Sequence, residues 1–91
     1  MKAKRDRLQV IHDILNSIKD RNGRIKPTHI LYKANLSHKM MDEYLNELIS
    51  KGFILEESSR SGKTYSLTPK GFEYLSKYNL MIDFVDSFGL G

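Results

Sequence analysis

The sequence predicts a mainly α (α+β) fold in which three helices precede a β-hairpin and a long helix closes the chain. Three observations carry that prediction. Apolar residues recur at three- and four-residue steps in four separate segments, the spacing of one face of an α-helix. Residues suited to helix ends punctuate those segments: Ser37 and Thr68 as N-caps, Pro27 and Pro69 at first helical positions, and Asn22-Gly23 and Gly52 just past the ends. Between the third and fourth helical segments lie two short strand-like runs separated by small polar residues, the pattern of a hairpin.

The first helix spans about Arg5 to Arg21. Leu8, Ile11, Leu15 and Ile18 form its inner stripe, flanked by Val10 and Ile14. Asn22-Gly23 ends it, because glycine accepts the left-handed conformation needed there. Arg24-Ile25-Lys26 is a short extended link or a minimal strand. A second helix runs from Pro27 to Ala34, with Ile30, Leu31 and Ala34 inward. Asn35-Leu36 makes a turn, and Ser37 caps a third helix from His38 to Lys51 whose buried stripe is Met41, Tyr44, Leu45, Leu48 and Ile49. Phe53-Ile54-Leu55 opens a strand that turns polar at Glu56-Glu57. Ser58 to Gly62 reads as a flexible hairpin loop, and Lys63 to Leu67 alternates as a half-buried strand. Thr68-Pro69 opens the last helix, which reaches about Phe88. Two helices joined by a tight turn and followed by a hairpin are the winged helix-turn-helix arrangement. Residues 1–68 are expected to form its core, and residues 69–91 a C-terminal helix of the same single domain that serves as a dimer contact.

Composition narrows the function. A chain of 91 residues makes one domain and has no room for a deep catalytic cleft. Its net charge of +4 favours an anionic partner. The chain contains no cysteine, which excludes disulfides, thiolate metal sites and cysteine nucleophiles. The basic N-terminus is not followed by an apolar stretch, so no signal peptide is expected. No purely apolar run exceeds three residues, as in Leu80-Met81-Ile82, far short of the roughly 20 a membrane span needs. A cytoplasmic location is expected. His12, His29 and His38 form no i+3 or i+4 pair, and no metal or cofactor is expected. There is no glycine-rich phosphate loop and no Ser/His/Asp pattern of an activated nucleophile. The protein is therefore read as a binding protein and not an enzyme.

The stretch KPTHILYKANLSHKMMDEYLNELISKGFI, followed by YSLTPKGFEYL, resembles archaeal winged helix-turn-helix proteins of the ArnR-like type, including the small, basic, dimeric DNA-binding proteins of the Sulfolobus chromatin-associated kind. The matching segments are the ILYKANLS turn, the YLNELISKGFI helix exit and the LTPKG helix start, and the resemblance covers roughly residues 8 to 80. It implies DNA binding by a homodimer joined through the C-terminal helix, an antiparallel coiled coil in the chromatin-associated members. This chain departs from them at its end, where a shorter helix finishes in Asp83-Phe84-Val85-Asp86-Ser87-Phe88-Gly89. That end fits a short helical dimer contact.

Candidate interface residues follow from the helical step. With Met41, Leu45 and Leu48 inward, Lys39, Glu43, Asn46 and Ser50 face outward, toward the major groove in a helix-turn-helix. Asn46 can pair with adenine, Lys39 can reach guanine or a phosphate, and Glu43 can accept from a cytosine amino group. Ser37 and His38 sit at the helix N-terminus, where free N–H groups favour phosphate. Lys33 is placed against the DNA backbone because the second helix crosses it in this motif. Arg60 and Lys63 flank the small residues of the wing and suit a phosphate backbone or a minor groove. Lys2, Lys4, Arg5 and Arg7 form a third basic group, either an arm on phosphate or a solubilising end.

Asp42, Glu43 and Glu47 repel phosphate. They lean toward selective regulation over indiscriminate coating, and they keep two alternatives open: a winged-helix protein-interaction module and a general architectural chromatin protein. In the last helix, Phe72, Leu75, Tyr78, Ile82 and Val85 form one stripe while Leu80, Met81, Phe84 and Phe88 lie outside it. A helix apolar almost all round needs a partner. Tyr78, Met81, Ile82, Phe84, Val85 and Phe88 are assigned to a contact with a second copy. The expected partners are thus double-stranded DNA and an identical chain, with no membrane.

Overall fold

The apolar spacing of the first helix decides where the core sits. A computed structural model describes residues 5–21 and 24–90. Helix α1 (Arg7–Asp20) begins where Asp6 accepts the Gln9 N–H at 2.8 Å, satisfying one of the free donors of the first turn. Its buried face is Val10, Ile11, Ile14, Leu15 and Ile18, joined by Ser17, whose hydroxyl donates to the Ile14 carbonyl at 2.6 Å. Leu8, expected at the head of this stripe, is 49% exposed; the last helix of the chain passes beside it and leaves its outer side open. The expected Asn22-Gly23 stop lies outside the described residues.

Helix α2 (Pro27–Lys33) and helix α3 (His38–Ser50) are joined by a tight turn. Asn35 takes φ +54 there, a conformation asparagine tolerates better than most residues. The Asn35 N–H donates to Tyr32 and the Leu36 N–H to Leu31, at 3.3 and 3.0 Å, the paired bonds of a Schellman ending. Ser37 then caps α3 by accepting the Met40 N–H at 3.2 Å, as its residue type predicts. Ile30, Ala34, Leu36, Met41, Leu45 and Leu48 turn inward and join the α1 residues in one core.

Strands β1 (Ile54–Ser59) and β2 (Gly62–Leu67) pair antiparallel, with Ile54 opposite Leu67 and Ser59 opposite Gly62. Ile25 and Tyr65 exchange backbone hydrogen bonds of 3.4 and 3.0 Å, so the Arg24-Ile25-Lys26 link does serve as a minimal third strand. The hairpin is tighter than expected. Ser58, Ser59 and Gly62 belong to the strands, and only Arg60 and Ser61 form the turn. The Ser59 hydroxyl accepts the Ser61 N–H and donates to the Gly62 carbonyl, both at 3.3 Å. Those bonds hold a connection that composition alone presents as loose.

Helix α4 (Pro69–Ser87) is seated by Thr68 and Gly71. The Thr68 hydroxyl accepts the Gly71 N–H at 3.2 Å and donates to the Gly52 carbonyl at 2.6 Å. A Cβ on Gly71 would lie 2.5 Å from the Phe53 carbonyl oxygen, so glycine is what lets α4 cross the chain here. The crossing turns Gly71, Tyr74, Leu75 and Tyr78 inward. Phe72, expected on the inner stripe, is 52% exposed, because its neighbour Gly71 occupies the inward direction and one residue rotates about 100°. The Tyr74 hydroxyl donates to the Leu8 carbonyl at 2.9 Å, and Tyr78 stacks on His12 at 4.3 Å. No described residue beyond Tyr78 is buried, and the long axis of the molecule reaches 49 Å.

Gly71→Ala forces α4 off the Phe53 carbonyl or strains that turn. The expected cost is about 1–3 kcal/mol, in the range of small-to-large changes in packed sites. In a domain of this size each kcal/mol lowers Tm by about 4–8 °C, readable by thermal denaturation followed by circular dichroism. An unchanged Tm would show that the close crossing is not needed.

Candidate nucleic-acid interface

Helix α3 is fixed on one side and open on the other. Met41, Leu45 and Leu48 are 5%, 3% and 3% exposed, while Lys39, Asp42, Glu43, Asn46 and Ser50 are all exposed. Lys39, Glu43 and Asn46 make no side-chain hydrogen bond or ion pair with the described residues. Ser50 differs, since its hydroxyl turns back to the Glu47 carbonyl at 3.3 Å. His38 stands exposed at the N-terminus of α3. The neighbouring Ser37 oxygen already serves as the cap acceptor; its own hydrogen remains available to donate.

The other cations divide by partner. Lys33 lies 3.6 Å from Asp20 and Lys63 lies 3.8 Å from Glu56. Both are exposed pairs worth little in water. Arg60, at the hairpin tip, has no carboxylate within ion-pair distance among the described residues. Arg5 and Arg7 are engaged inside the chain. Arg5 bonds Asp13 and the α2–α3 turn, and Arg7 bonds Glu47 while lying 5.5 Å above the Tyr44 ring. An arm on phosphate or a solvated end was expected of them; the structure adds contacts within the chain, with Arg5 half-buried and Arg7 still 55% exposed. Lys2 and Lys4 lie outside the described residues.

Glu47 is the carboxylate most changed by folding. Its hydrogen bonds to Arg7 and, at 2.9 Å, to Lys51 hold it well below its ordinary value of 4.5, at about 2. One of the three carboxylates expected to repel phosphate is thereby matched by two cations. Asp42 and Glu43 remain exposed. Among the described residues no group of three His, Asp or Glu side chains is placed to hold a metal ion, and no helix is long and apolar enough to cross a membrane.

The pattern of a family described as winged helix-turn-helix matches residues 4–85. The chain belongs to that family. It is 38% identical over 75 residues to uncharacterized protein MJ0290 of Methanocaldococcus jannaschii, a match covering 82% of this chain and 33% of that protein. Uncharacterized protein MJ0287 of the same organism is 37% identical over 78 residues, covering 85% and 74%. The chain thus spans a third of the length of the first relative and about three-quarters of the second. Among solved structures, Sso10a-2, a DNA-binding protein from Sulfolobus solfataricus, superposes with a TM-score of 0.80 at 20% identity over 92% of this chain and 85% of that one. F93 from STIV, described as a winged-helix DNA-binding protein, does so at 0.71 and 21% identity, covering 87% and 91%. The PcaV transcriptional regulator of Streptomyces coelicolor gives 0.78 at 13% identity, covering 87% and 60%. These structural likenesses establish the winged-helix fold.

Two exposed residues of the winged helix's α2–α3 unit escape a sequence reading. Tyr32 is 75% exposed and Met40 is 38% exposed. Neither sits on an apolar stripe, and that off-stripe position is the signal that marks them. In α4, Met81, Ile82, Phe84 and Phe88 are 42%, 38%, 64% and 64% exposed. Phe84 and Phe88 pack edge-to-face at 5.1 Å, and Val85 is half-buried. Tyr78 differs from the rest of the expected dimer set: its ring lies between His12 and Tyr74 of its own chain.

The Glu47 pairs set an acid dependence. A carboxylate whose folded value lies below its unfolded one stabilises the fold above the unfolded value and loses that contribution as pH falls toward the folded one. The window here is from 4.5 down to about 2. Glu47→Gln is expected to flatten the decline of stability across that window, measured by denaturant unfolding at several pH values. An acid limb identical to the parent's contradicts the assignment.

Proposed function

We propose that this protein is a dimeric, DNA-binding transcription regulator that inserts α3 into the major groove and lays its hairpin on the phosphate backbone. It acts by binding and not by catalysis. The observation that carries the reading is the open face of α3: Lys39, Glu43 and Asn46 are unpartnered within the described chain, on a helix whose other face is locked into the core. Asn46 suits adenine, Lys39 suits guanine or phosphate, and Glu43 suits a cytosine amino group. Ser37 and His38 offer donors at the helix N-terminus. Arg60, Lys63 and Lys33 supply backbone contacts. Two structural neighbours are described as DNA-binding proteins and another as a transcriptional regulator, which supports the same reading.

The apolar end of α4 supports the dimer. Met81, Ile82, Phe84, Val85 and Phe88 lie beyond the point where their own chain covers them, and a two-fold contact would bury them. Tyr78 would form the inner margin of that contact. Residues 69–91 thus belong to the same domain as the core while also joining two copies. Half-sites would then lie about 34 Å apart on one face of the duplex, in a nucleoid-associated setting. Asp42 and Glu43, exposed and without a cation partner among the described residues, favour a second reading, a protein-interaction module with no DNA affinity.

Fluorescence anisotropy with duplex DNA separates the two. Binding should weaken steeply between about 50 and about 200 mM salt, and Arg60→Ala with Lys63→Ala should lower the slope of log affinity against log salt by about 0.9 per lost phosphate contact. No binding at micromolar protein in low salt rejects the DNA reading. Sedimentation of the parent should show a dimer and Phe84→Glu a monomer. A parent that is monomeric at high micromolar concentration refutes the two-fold contact.

A further inference from the structure

Three consecutive residues, Arg5-Asp6-Arg7, reach three different helices. Asp6 caps α1. The Arg5 guanidinium donates from Nη1 to the Ala34 carbonyl at 2.6 Å and to Asp13 at 2.7 Å, and from Nη2 to the Asn35 carbonyl at 2.9 Å. Ala34 and Asn35 follow the last residue of α2, so no helical N–H reaches their carbonyls. Asn35 is also the residue with φ +54 on which the turn depends. Arg7 bonds the Glu47 carboxylate in the last turn of α3 and covers Tyr44 at its middle. Behind these contacts α1 is anchored by Ile14, Leu15 and Ile18, all at 0% exposure.

We propose that Arg5 and Arg7 are positioning residues that brace the helix-turn-helix from α1, holding the α2–α3 turn and the body of α3 in the orientation that meets DNA. The proposal rests on the DNA-binding reading. The arginine fork is what the task requires, since it presents several donors in a fixed plane, whereas a lysine ammonium is a point charge on a flexible stem. The Ala34 and Asn35 carbonyls it binds lie just past the end of α2, where no helical N–H reaches them. Asp13 and Glu47 each pair with one of the two arginines, so both guanidiniums are oriented toward the helix-turn-helix by contacts within the chain.

Two measurements on the full chain decide this. Hydrogen exchange at the Asn35 and Leu36 amides reports the turn without any DNA. Arg5→Ala and Arg5→Lys should both speed it roughly tenfold, the scale of one lost charge-assisted hydrogen bond. DNA titration reports the consequence. Both variants should lose affinity roughly tenfold with an unchanged salt slope, whereas loss of a phosphate contact lowers that slope by about 0.9. For Arg7 the informative variant is Glu47→Gln, which removes a carboxylate from α3 and frees two cations, Arg7 and Lys51. Simple electrostatics raises DNA affinity; the brace lowers it. Unchanged amide exchange in the Arg5 variants, a reduced salt slope, undiminished affinity, or tighter binding by Glu47→Gln each overturns the proposal. If the parent itself binds no DNA, the functional reading fails, and the exchange rates still decide whether the arginines hold the turn. Asp13→Asn, which loosens Arg5 without removing it, should show the same exchange effect in smaller degree and covers the case of an Arg5 variant that does not fold.

Discussion

Burial of Ile14, Leu15 and Ile18 on α1 against Ile25, Ile30 and Ile54 is the constraint on which the rest of the structure depends. These six are the largest fully buried side chains, and they come from α1, α2, the minimal strand and β1. A small domain has little interior, so each element is placed by what it contributes to this one cluster. Because α1 is central, its ends are positioned to touch everything else. The residues at its start reach the α2–α3 turn through Arg5 and α3 through Arg7. Its outer side receives α4 through His12 and Tyr78.

Helix α4 shows how one backbone contact shapes a whole face. The missing side chain of Gly71 allows the helix to pass over the Phe53 carbonyl, and that crossing sets which residues point inward. Tyr74, Leu75 and Tyr78 are then used by the core, and the helix continues past the body of the molecule. Its remaining apolar residues have nothing of their own chain to pack on. Apolar surface in such a stripe is costly in water, which is the physical basis for placing a second copy there.

Among the described residues, the cations divide between those paired with carboxylates of the chain and those left free. Arg5, Arg7 and Lys51 are spent on Asp13 and Glu47, while Lys39 and Arg60 face outward unpaired among the described residues. A net charge of +4 therefore understates how local the positive surface is. The proposed contact to nucleic acid draws on Lys39 and Arg60, and on Lys33 and Lys63, whose exposed pairs hold them only weakly, and the acidity of α3 is softened because Glu47 is already matched.

Element types, their order and most ends were legible in the residues, because capping, proline placement and apolar periodicity are local properties. Asp6 is an N-cap that the sequence reading passed over, and it moved the start of α1 by two residues. Tertiary contacts decided what lay beyond that range. The tight hairpin depends on the Ser59 hydroxyl folding onto its own turn. The inward face of α4 depends on a crossing with Phe53, eighteen residues earlier in the chain than Gly71. The roles of Arg5 and Arg7 depend on carbonyls and a carboxylate roughly 30 and 40 positions away. The sequence by itself determined the winged-helix arrangement and the open face of α3, since both follow from the period of a single helix or strand. Which charges stay free for a partner, and which apolar residues stay uncovered, was decided by the tertiary structure alone, because an ion pair or a packed ring is made by residues that only folding brings together.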